Sequence, residues 1–211
     1  MESERLFDLI SFASGLLPVI AFIFNYGWLD KVSRIIGIFL IVAFVFDVAL
    51  EILPVLGTSN NSPVIHLFVI TNIIFFGVIY YEAFFIRKLK TLTIILSSAA
   101  LVIALYFTKN IVLFPSEANT ASSLVFIIIS LIYFYQLLTR QEFVHIEKQG
   151  LFWFNAGVLF YSSINIFLFM LFNMIPKDDL PTYFIINNIT NIIANLLYTT
   201  ALLCRPQKLV S

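Results

Sequence analysis

Two carboxylates four residues apart, Asp47 and Glu51, lie within an otherwise apolar stretch of the sequence. This spacing places both side chains on one face of a helix, where two ionised carboxylates repel each other. In a medium of low dielectric constant, a bound proton or a nearby cation relieves that repulsion. His66 follows after a short connection, so we expect a hydrogen bond between Glu51 and His66. Asp47, Glu51 and His66 therefore form a predicted proton-sensitive group.

This group is compatible with three kinds of site: a structural hydrogen-bond cluster, a proton-sensitive ligand or transport site, and a metal or hydrolytic site. An Asp, Glu and His set can bind zinc and activate water. However, the sequence has no HExxH motif, no serine elbow and no paired histidines. We therefore predict no catalytic residues, no metal and no cofactor, and an enzyme is the weakest class.

Asparagines form a second pattern. Asn187, Asn191 and Asn195 are spaced four apart and form one stripe on a helix, with Asn188 beside it. An amide that faces lipid is unfavourable unless it finds hydrogen-bond partners, so the stripe should face the interior of a helix bundle. The pentapeptide around Asn191, ITNII, also occurs around Asn72.

The elements that must position these residues are transmembrane helices. The chain is 61% hydrophobic and 11% charged, with a mean hydropathy of +1.00, whereas an ordinary soluble domain has about 25% charged residues. Seven apolar runs approach the roughly 20 residues that a helix needs to cross a bilayer. They cover approximately residues 6–26, 35–56, 64–86, 91–108, 121–139, 151–174 and 181–204.

These runs are continuously apolar, whereas the strands of a transmembrane barrel alternate between apolar and polar residues. The predicted fold is therefore an all-α integral membrane protein with seven transmembrane helices, forming one domain over residues 1–211.

The basic residues indicate the orientation of this domain, because cytoplasmic loops carry an excess of Lys and Arg. One side receives Arg5, Lys109 and Lys177. The other receives Lys31, Arg34, Arg87, Lys88, Lys90, Arg140, Lys148, Arg205 and Lys208. We therefore predict that the N-terminus faces outward and the C-terminus inward.

Polar residues recur at a similar depth in each predicted helix, at about 12 to 15 Å from its outer end by the rise per residue. These residues are Ser14, Asp47, Asn72, Ser98, Ser130, Asn165 and Asn191. One interpretation is that these groups merely form hydrogen bonds between neighbouring helices, with each bond contributing about 0.6 to 2 kcal/mol to stability. A complete layer is more typical of a hydrated pocket. The predicted ligand-binding residues are Asp47, Asn72, Asn165, Asn188, Asn191 and Asn195.

The ITNII copies begin at Ile70 and Ile189, 119 residues apart, in predicted helices that run in the same direction. A duplicated three-helix unit joined by a fourth helix would form such a parallel repeat. The arrangement resembles that of the SWEET-type sugar transporters, which have a three-plus-one-plus-three layout with an asparagine in helices three and seven at the substrate site. The resemblance implies that Asn72 and Asn191 line a transport site.

Several functions are disfavoured by the residue types. A retinal protein needs a lysine deep in a helix, and every lysine here lies in a predicted loop or at a membrane edge. Of the two histidines, His66 and His145, the second falls in a predicted cytoplasmic loop, which excludes bis-histidine haem ligation within the bilayer. Cys204 is the single cysteine, so there is no internal disulfide. The formal charge of zero gives no nucleic-acid signature.

The sequence thus favours a receptor-like or sensory multi-pass protein that binds an unknown small molecule in an intramembrane polar pocket and acts through a separate cytoplasmic signalling partner. One alternative is a small-solute transporter, proton-linked through Asp47 and Glu51. Another is a structural subunit of a membrane complex. In each case the protein is expected to lie in a lipid bilayer. The predicted membrane is the bacterial inner (plasma) membrane.

Overall fold

The computed structural model describes residues 2–58, 60–139, 146–176 and 180–204. Seven long helices make up most of these ranges, and the ranges contain no strand. The helices are α1 (Glu2–Asn25), α2 (Lys31–Val55), α3 (Ser62–Ala83), α4 (Arg87–Phe107), α5 (Ser116–Thr139), α6 (Gly150–Leu171) and α7 (Leu180–Leu203). Short 3₁₀ turns occupy Thr108–Asn110, Ile146–Lys148 and Phe172–Met174.

Six of these helices, α1 to α6, are long and apolar enough to cross a membrane. The seventh has 24 residues, four of which are asparagines. The chain is an all-α integral membrane protein, as the sequence predicts.

The helices begin earlier than the apolar runs indicate. For example, α4 begins at Arg87 and α5 at Ser116, several residues before the predicted starts at 91 and 121. Hydropathy marks the part of a helix that lies in hydrocarbon, whereas the hydrogen-bonded helix continues into the headgroup region. Polar first turns are favourable there, as in α2, where Oδ1 of the N-cap residue Asp30 accepts a hydrogen bond from the backbone N–H of Ser33 at 2.7 Å.

The helices form a ring in chain order. Each helix packs against the next one, and α7 lies alongside α1, which closes the ring. The fourth helix packs against both α3 and α5, which also touch each other. This arrangement is compatible with two three-helix units joined by α4, and the parallel repeat stays a prediction.

We call the end of the bundle where α1, α3, α5 and α7 begin the outer end, following the positive-inside rule. Arg5 and Lys109 lie toward this end. The opposite, inner end carries Lys31, Arg34, Arg87, Lys88, Lys90 and Lys148. The remaining basic residues used for the orientation, Arg140, Lys177, Arg205 and Lys208, lie outside the described residues, as does His145.

Large aromatic side chains dominate the core of the inner half. Tyr80 on α3, Phe84 directly after α3, Tyr133 on α5 and Phe154 on α6 are buried. Their rings form a connected set, with centroids 6.1 Å apart for Tyr80 and Phe84 and 6.4 Å apart for Tyr80 and Tyr133. This half of the bundle is therefore closely packed around α3, α5 and α6.

Candidate functional site

A cavity of about 720 Å³ lies between α1, α2 and α7 in the outer half of the bundle. Its volume falls within the range of small-molecule sites, roughly 300 to 1,000 Å³. We call it the α1–α2–α7 cavity. Its polar lining consists of Asp8 and Ser11 on α1, Asp47 and Glu51 on α2, Asn61 before α3, and Asn187, Asn188 and Asn191 on α7.

One wall of the cavity is held by three hydrogen bonds between α1 and α7, which we call the amide ladder. In each bond an asparagine Nδ2 on α7 donates to an oxygen on α1. The pairs are Asn188 to Asp8 Oδ1 at 2.5 Å, Asn191 to Ser11 Oγ at 3.0 Å and Asn195 to Ser14 Oγ at 2.9 Å. The pairs recur at intervals of three or four residues along each helix, so each partner set forms one stripe. Asn191 and Asn195 of the predicted stripe, together with Asn188 beside it, thus contact α1, and their role in ligand binding stays a prediction.

Asp47 reaches the cavity because α2 approaches α1 closely at a glycine. A Cβ added at Gly15 would lie 3.1 Å from Cδ2 of Phe44 and 3.7 Å from Oδ2 of Asp47. Asp47 is half-buried, whereas Glu51, one turn closer to the outer end, is exposed. No residue in the described ranges donates a hydrogen bond to either carboxyl group.

Two asparagines of the lining have a side-chain oxygen that faces away from the open space. Oδ1 of Asn187 and Oδ1 of Asn61 are buried and receive no hydrogen bond within the described part of the chain. The amide nitrogen of Asn61, in contrast, donates to the Leu50 carbonyl at 3.4 Å. The acceptors that the cavity does offer are therefore the carboxyl oxygens of Asp47 and Glu51.

The cavity brings together only part of the predicted ligand set. Asp47, Asn188 and Asn191 line it, and Asn195 lies one turn deeper in the amide ladder. Asn72 on α3 and Asn165 on α6 do not line it. Asn165 is fully buried and donates from Nδ2 to the Tyr161 carbonyl of its own helix at 3.0 Å. In both residues Oδ1 is buried without a hydrogen-bond partner in the described ranges.

The continuous polar layer across all seven helices is therefore not formed. Ser98 is exposed on α4, and Ser130 belongs to a separate group in the inner half. Depth along each helix was a sound guide for Asp47 and Asn191, which meet in one cavity. It fails for the other residues because equal depth does not fix the direction in which a side chain points.

The predicted hydrogen bond between Glu51 and His66 is wrong. The Nε2 atom of His66 lies 3.1 Å from the Leu113 carbonyl oxygen instead. His66 lines a second outer cavity, of about 320 Å³, to which Lys109 and Glu117 also contribute. We call this the α3–α5 cavity. The reason lies in the buried stripe of α3, formed by His66, Val69, Ile73, Phe76 and Tyr80. Its spacing of three and four residues turns His66 toward α5 and away from Glu51.

A third polar group, in the inner half, was not predicted. The Tyr80 hydroxyl lies 2.8 Å from Ser130 Oγ and donates to Asn155 Oδ1 at 2.6 Å, while Asn155 Nδ2 donates to the Ser130 carbonyl at 3.1 Å. All three residues are fully buried, and we call them the Tyr80 node. The buried stripe of α3, which includes Tyr80, is the signal that could have found it.

Within the described ranges, no three His, Cys, Asp or Glu residues come close enough together to hold a metal ion. Comparison with protein-family models, with curated proteins and with solved structures gives no significant match. The class of the protein therefore follows from the fold and the cavities: a multi-pass α-helical membrane protein with a polar cavity in its outer half.

Proposed function

We propose that the chain is a receptor-like membrane protein that binds a small molecule from the outer side, in the α1–α2–α7 cavity, and acts through a separate partner protein. The proposed location is the bacterial inner membrane. The observation that carries the proposal is the one-sided position of the cavity, which combines polar groups from three helices in the outer half of the bundle. A receptor needs access from one side, whereas a transporter must open to both.

The packing beneath the cavity supports this reading. The rings of Phe12 and Phe44 lie against each other, with centroids 5.4 Å apart, and Ser14 and Asn195 are buried beside them. Further inward, a Cβ added at Gly37 would lie only 1.9 Å from Cδ2 of Phe22. Side chains therefore fill the space between α1 and α2 on the inner side of the cavity.

A transporter is the second candidate, and Pro18 favours it. This residue lies inside α1, four positions after Ser14 of the amide ladder. Proline has no backbone N–H, so the hydrogen bond that residue 18 would donate to the Ser14 carbonyl is absent from the helix. A bend of α1 at this point would open the floor of the cavity toward the inner half.

Cysteine accessibility separates these functions. Single cysteines would replace Asp47 or Asn191, which line the cavity, and Asn72 or Asn165, which do not, in a Cys204→Ser background. Burial raises the pKa of the Cys204 thiol, so this thiol has a small thiolate fraction at neutral pH and reacts slowly. Replacing it with serine removes even this slow labelling of the native cysteine. A membrane-impermeant thiol reagent would be applied to intact cells and to inside-out vesicles.

We expect positions 47 and 191 to react at least about tenfold faster from the outside than from the inside, because reaction follows exposure of the thiol. Positions 72 and 165 serve as matched controls and should stay unreacted. Reaction of position 47 from both sides would support the transporter instead. If neither lining position reacts from the outside, the receptor proposal is refuted and a structural subunit is the better reading.

A further inference from the structure

We infer that the α1–α2–α7 cavity binds a small linear amine, in its protonated form, through its carboxyl groups. This inference rests on the proposed ligand-binding function and specifies its ligand class. It follows from three properties of the cavity lining: its charge, its free hydrogen-bonding atoms and the distribution of its carboxyl groups.

The charge of the lining has one sign. Asp8, Asp47 and Glu51 contribute carboxyl groups, and the described residues of the lining include no Lys, Arg or His. A cleft lined by one sign of charge within low-dielectric walls concentrates ligands of the opposite sign. An anionic ligand would have no cationic partner among these lining residues, so the charge selects a cation.

The hydrogen-bonding atoms point the same way. Asn188 and Asn191 each donate one amide hydrogen to Asp8 and Ser11 within the ladder. The carboxyl groups of Asp47 and Glu51 line the cavity and receive no hydrogen bond from the described residues. A ligand that satisfies them must bring N–H or O–H donors, and a protonated amine supplies up to three on one nitrogen.

The spread of the carboxyl groups excludes a single metal ion and favours an extended molecule. Asp8, Asp47 and Glu51 are not part of any group that could hold a metal ion. Asp47 lies four residues from Glu51, which corresponds to about 6 Å along the helix axis. Apolar side chains, including Phe12, Leu50 and Phe184, alternate with the polar ones around the cavity. A methylene chain with an ammonium group at its end fits both kinds of lining.

The α3–α5 cavity provides an internal comparison. It contains one carboxylate, Glu117, and one ammonium group, Lys109, whose Nζ lies 4.5 Å from the centroid of the Tyr106 ring. Its lining is therefore balanced in charge apart from His66. Asn173 is an exposed residue of this second cavity. A thiol placed there measures labelling from the same outer side of the protein, at a cavity without an excess of carboxyl groups.

The first experiment measures charge selectivity in the full-length protein with Cys204→Ser. Ile185→Cys places a thiol in the α1–α2–α7 cavity without changing its polar groups, and Asn173→Cys is the matched control. Each is labelled from outside with cationic, neutral and anionic methanethiosulfonate reagents. We expect the ratio of cationic to anionic labelling rates, each corrected for intrinsic reactivity, to be at least about tenfold higher at position 185. Adding Asp47→Asn and Glu51→Gln should lower this ratio toward that of position 173, whereas Glu117→Gln should leave it unchanged.

The second experiment measures protection of Ile185→Cys from the neutral reagent by three compounds of matched chain length: cadaverine, pentanediol and glutarate. We expect cadaverine alone to slow labelling, by at least about fivefold when its concentration is well above its dissociation constant. The Asp47→Asn and Glu51→Gln variant should lose this protection.

The outcomes distinguish the two proposals. If position 185 reacts from outside without preference for the cationic reagent, or if pentanediol or glutarate protects as well as cadaverine, the amine inference is refuted and the proposed binding function stands. If position 185 does not react from outside with any reagent, the cavity is not accessible and both proposals are refuted.

Discussion

The polar groups of the outer and inner halves are built differently. In the Tyr80 node, between α3, α5 and α6, the Tyr80 hydroxyl and both amide atoms of Asn155 have partners, and the three residues are fully buried. Around the α1–α2–α7 cavity, the amide ladder uses donors from α7, while the carboxyl groups of Asp47 and Glu51 remain without partners in the described ranges. A satisfied network stabilises a fold, whereas an unsatisfied one is available to a ligand. We therefore expect the inner half to determine stability and the outer half to determine binding.

The largest expected effect is that of Tyr80→Ala. Removing a fully buried aromatic ring leaves a cavity and should lower the free energy of unfolding by about 3 to 5 kcal/mol. Tyr81→Ala is the matched control, because Tyr81 is 40% exposed and its ring centroid lies 4.8 Å from Lys90 Nζ. Tyr81→Ala should lower the free energy of unfolding by less than about 1 kcal/mol. Denaturant unfolding in detergent micelles measures both values.

Tyr80→Phe retains the ring and removes only the hydroxyl group, so it tests the node if the alanine variant fails to fold. We expect a loss of about 1 kcal/mol, within the range measured for hydrogen bonds between transmembrane helices. Equal losses for Tyr80→Ala and Tyr81→Ala would contradict the assignment of stability to the inner half.

An intermediate effect is expected from added methyl groups. A Cβ at Gly157 would lie 2.6 Å from Cε1 of Tyr198 and 3.3 Å from Cβ of Leu197, so Gly157→Ala should destabilise the protein by about 1 to 3 kcal/mol through overpacking. At Gly15, beside the cavity, the nearest atom would be 3.1 Å away, in the ring of Phe44. Because this ring can shift by a few tenths of an ångström, Gly15→Ala should cost less. The midpoints of thermal unfolding measure the difference, and a larger loss at Gly15 would reverse our comparison.

The smallest effect on stability is expected from Asn191→Leu. It removes one rung of the amide ladder, and such a bond between transmembrane helices contributes about 0.6 kcal/mol on average. The same substitution should abolish the protection of Ile185→Cys by cadaverine, because it places an apolar side chain in the polar lining. Asn195→Leu, one turn deeper, is the matched variant and should leave some protection. Full protection in Asn191→Leu would show that this residue does not contribute to the site.

The sequence predicted the helices well because crossing hydrocarbon requires long apolar runs, and such runs are visible in composition alone. It also predicted that Asp47 and Asn191 belong to one intramembrane polar region, because an amide or carboxyl group is costly in lipid, and both line the α1–α2–α7 cavity. It did not predict which interior groups meet. Ser130 and Asn165 have the expected depth, but Ser130 joins the Tyr80 node and Asn165 bonds within its own helix.

The sequence did not show how each helix is rotated about its own axis or which helices lie next to it in the ring. His66 shows this most clearly, because its distance from Glu51 was inferred from depth and a short connection. The stripe from His66 to Tyr80 has the spacing of a buried helix face and would have oriented α3 correctly. The two ITNII copies differ for the same reason: Asn191 donates to Ser11, whereas Oδ1 of Asn72 is buried without a partner in the described ranges.

The amide ladder also determines when the bundle can be completed during biosynthesis. Of the seven helices, α1 leaves the ribosome first and α7 last, yet Ser11 and Ser14 find their asparagine partners on α7. Because asparagine amides are unfavourable in lipid, α7 is better retained in the bilayer when α1 is already there to accept its hydrogen bonds. The ring therefore closes only when the last of the seven helices has been inserted, and without α7 the Ser11 hydroxyl lacks its partner while Ser14 keeps its bond to the Ser11 carbonyl.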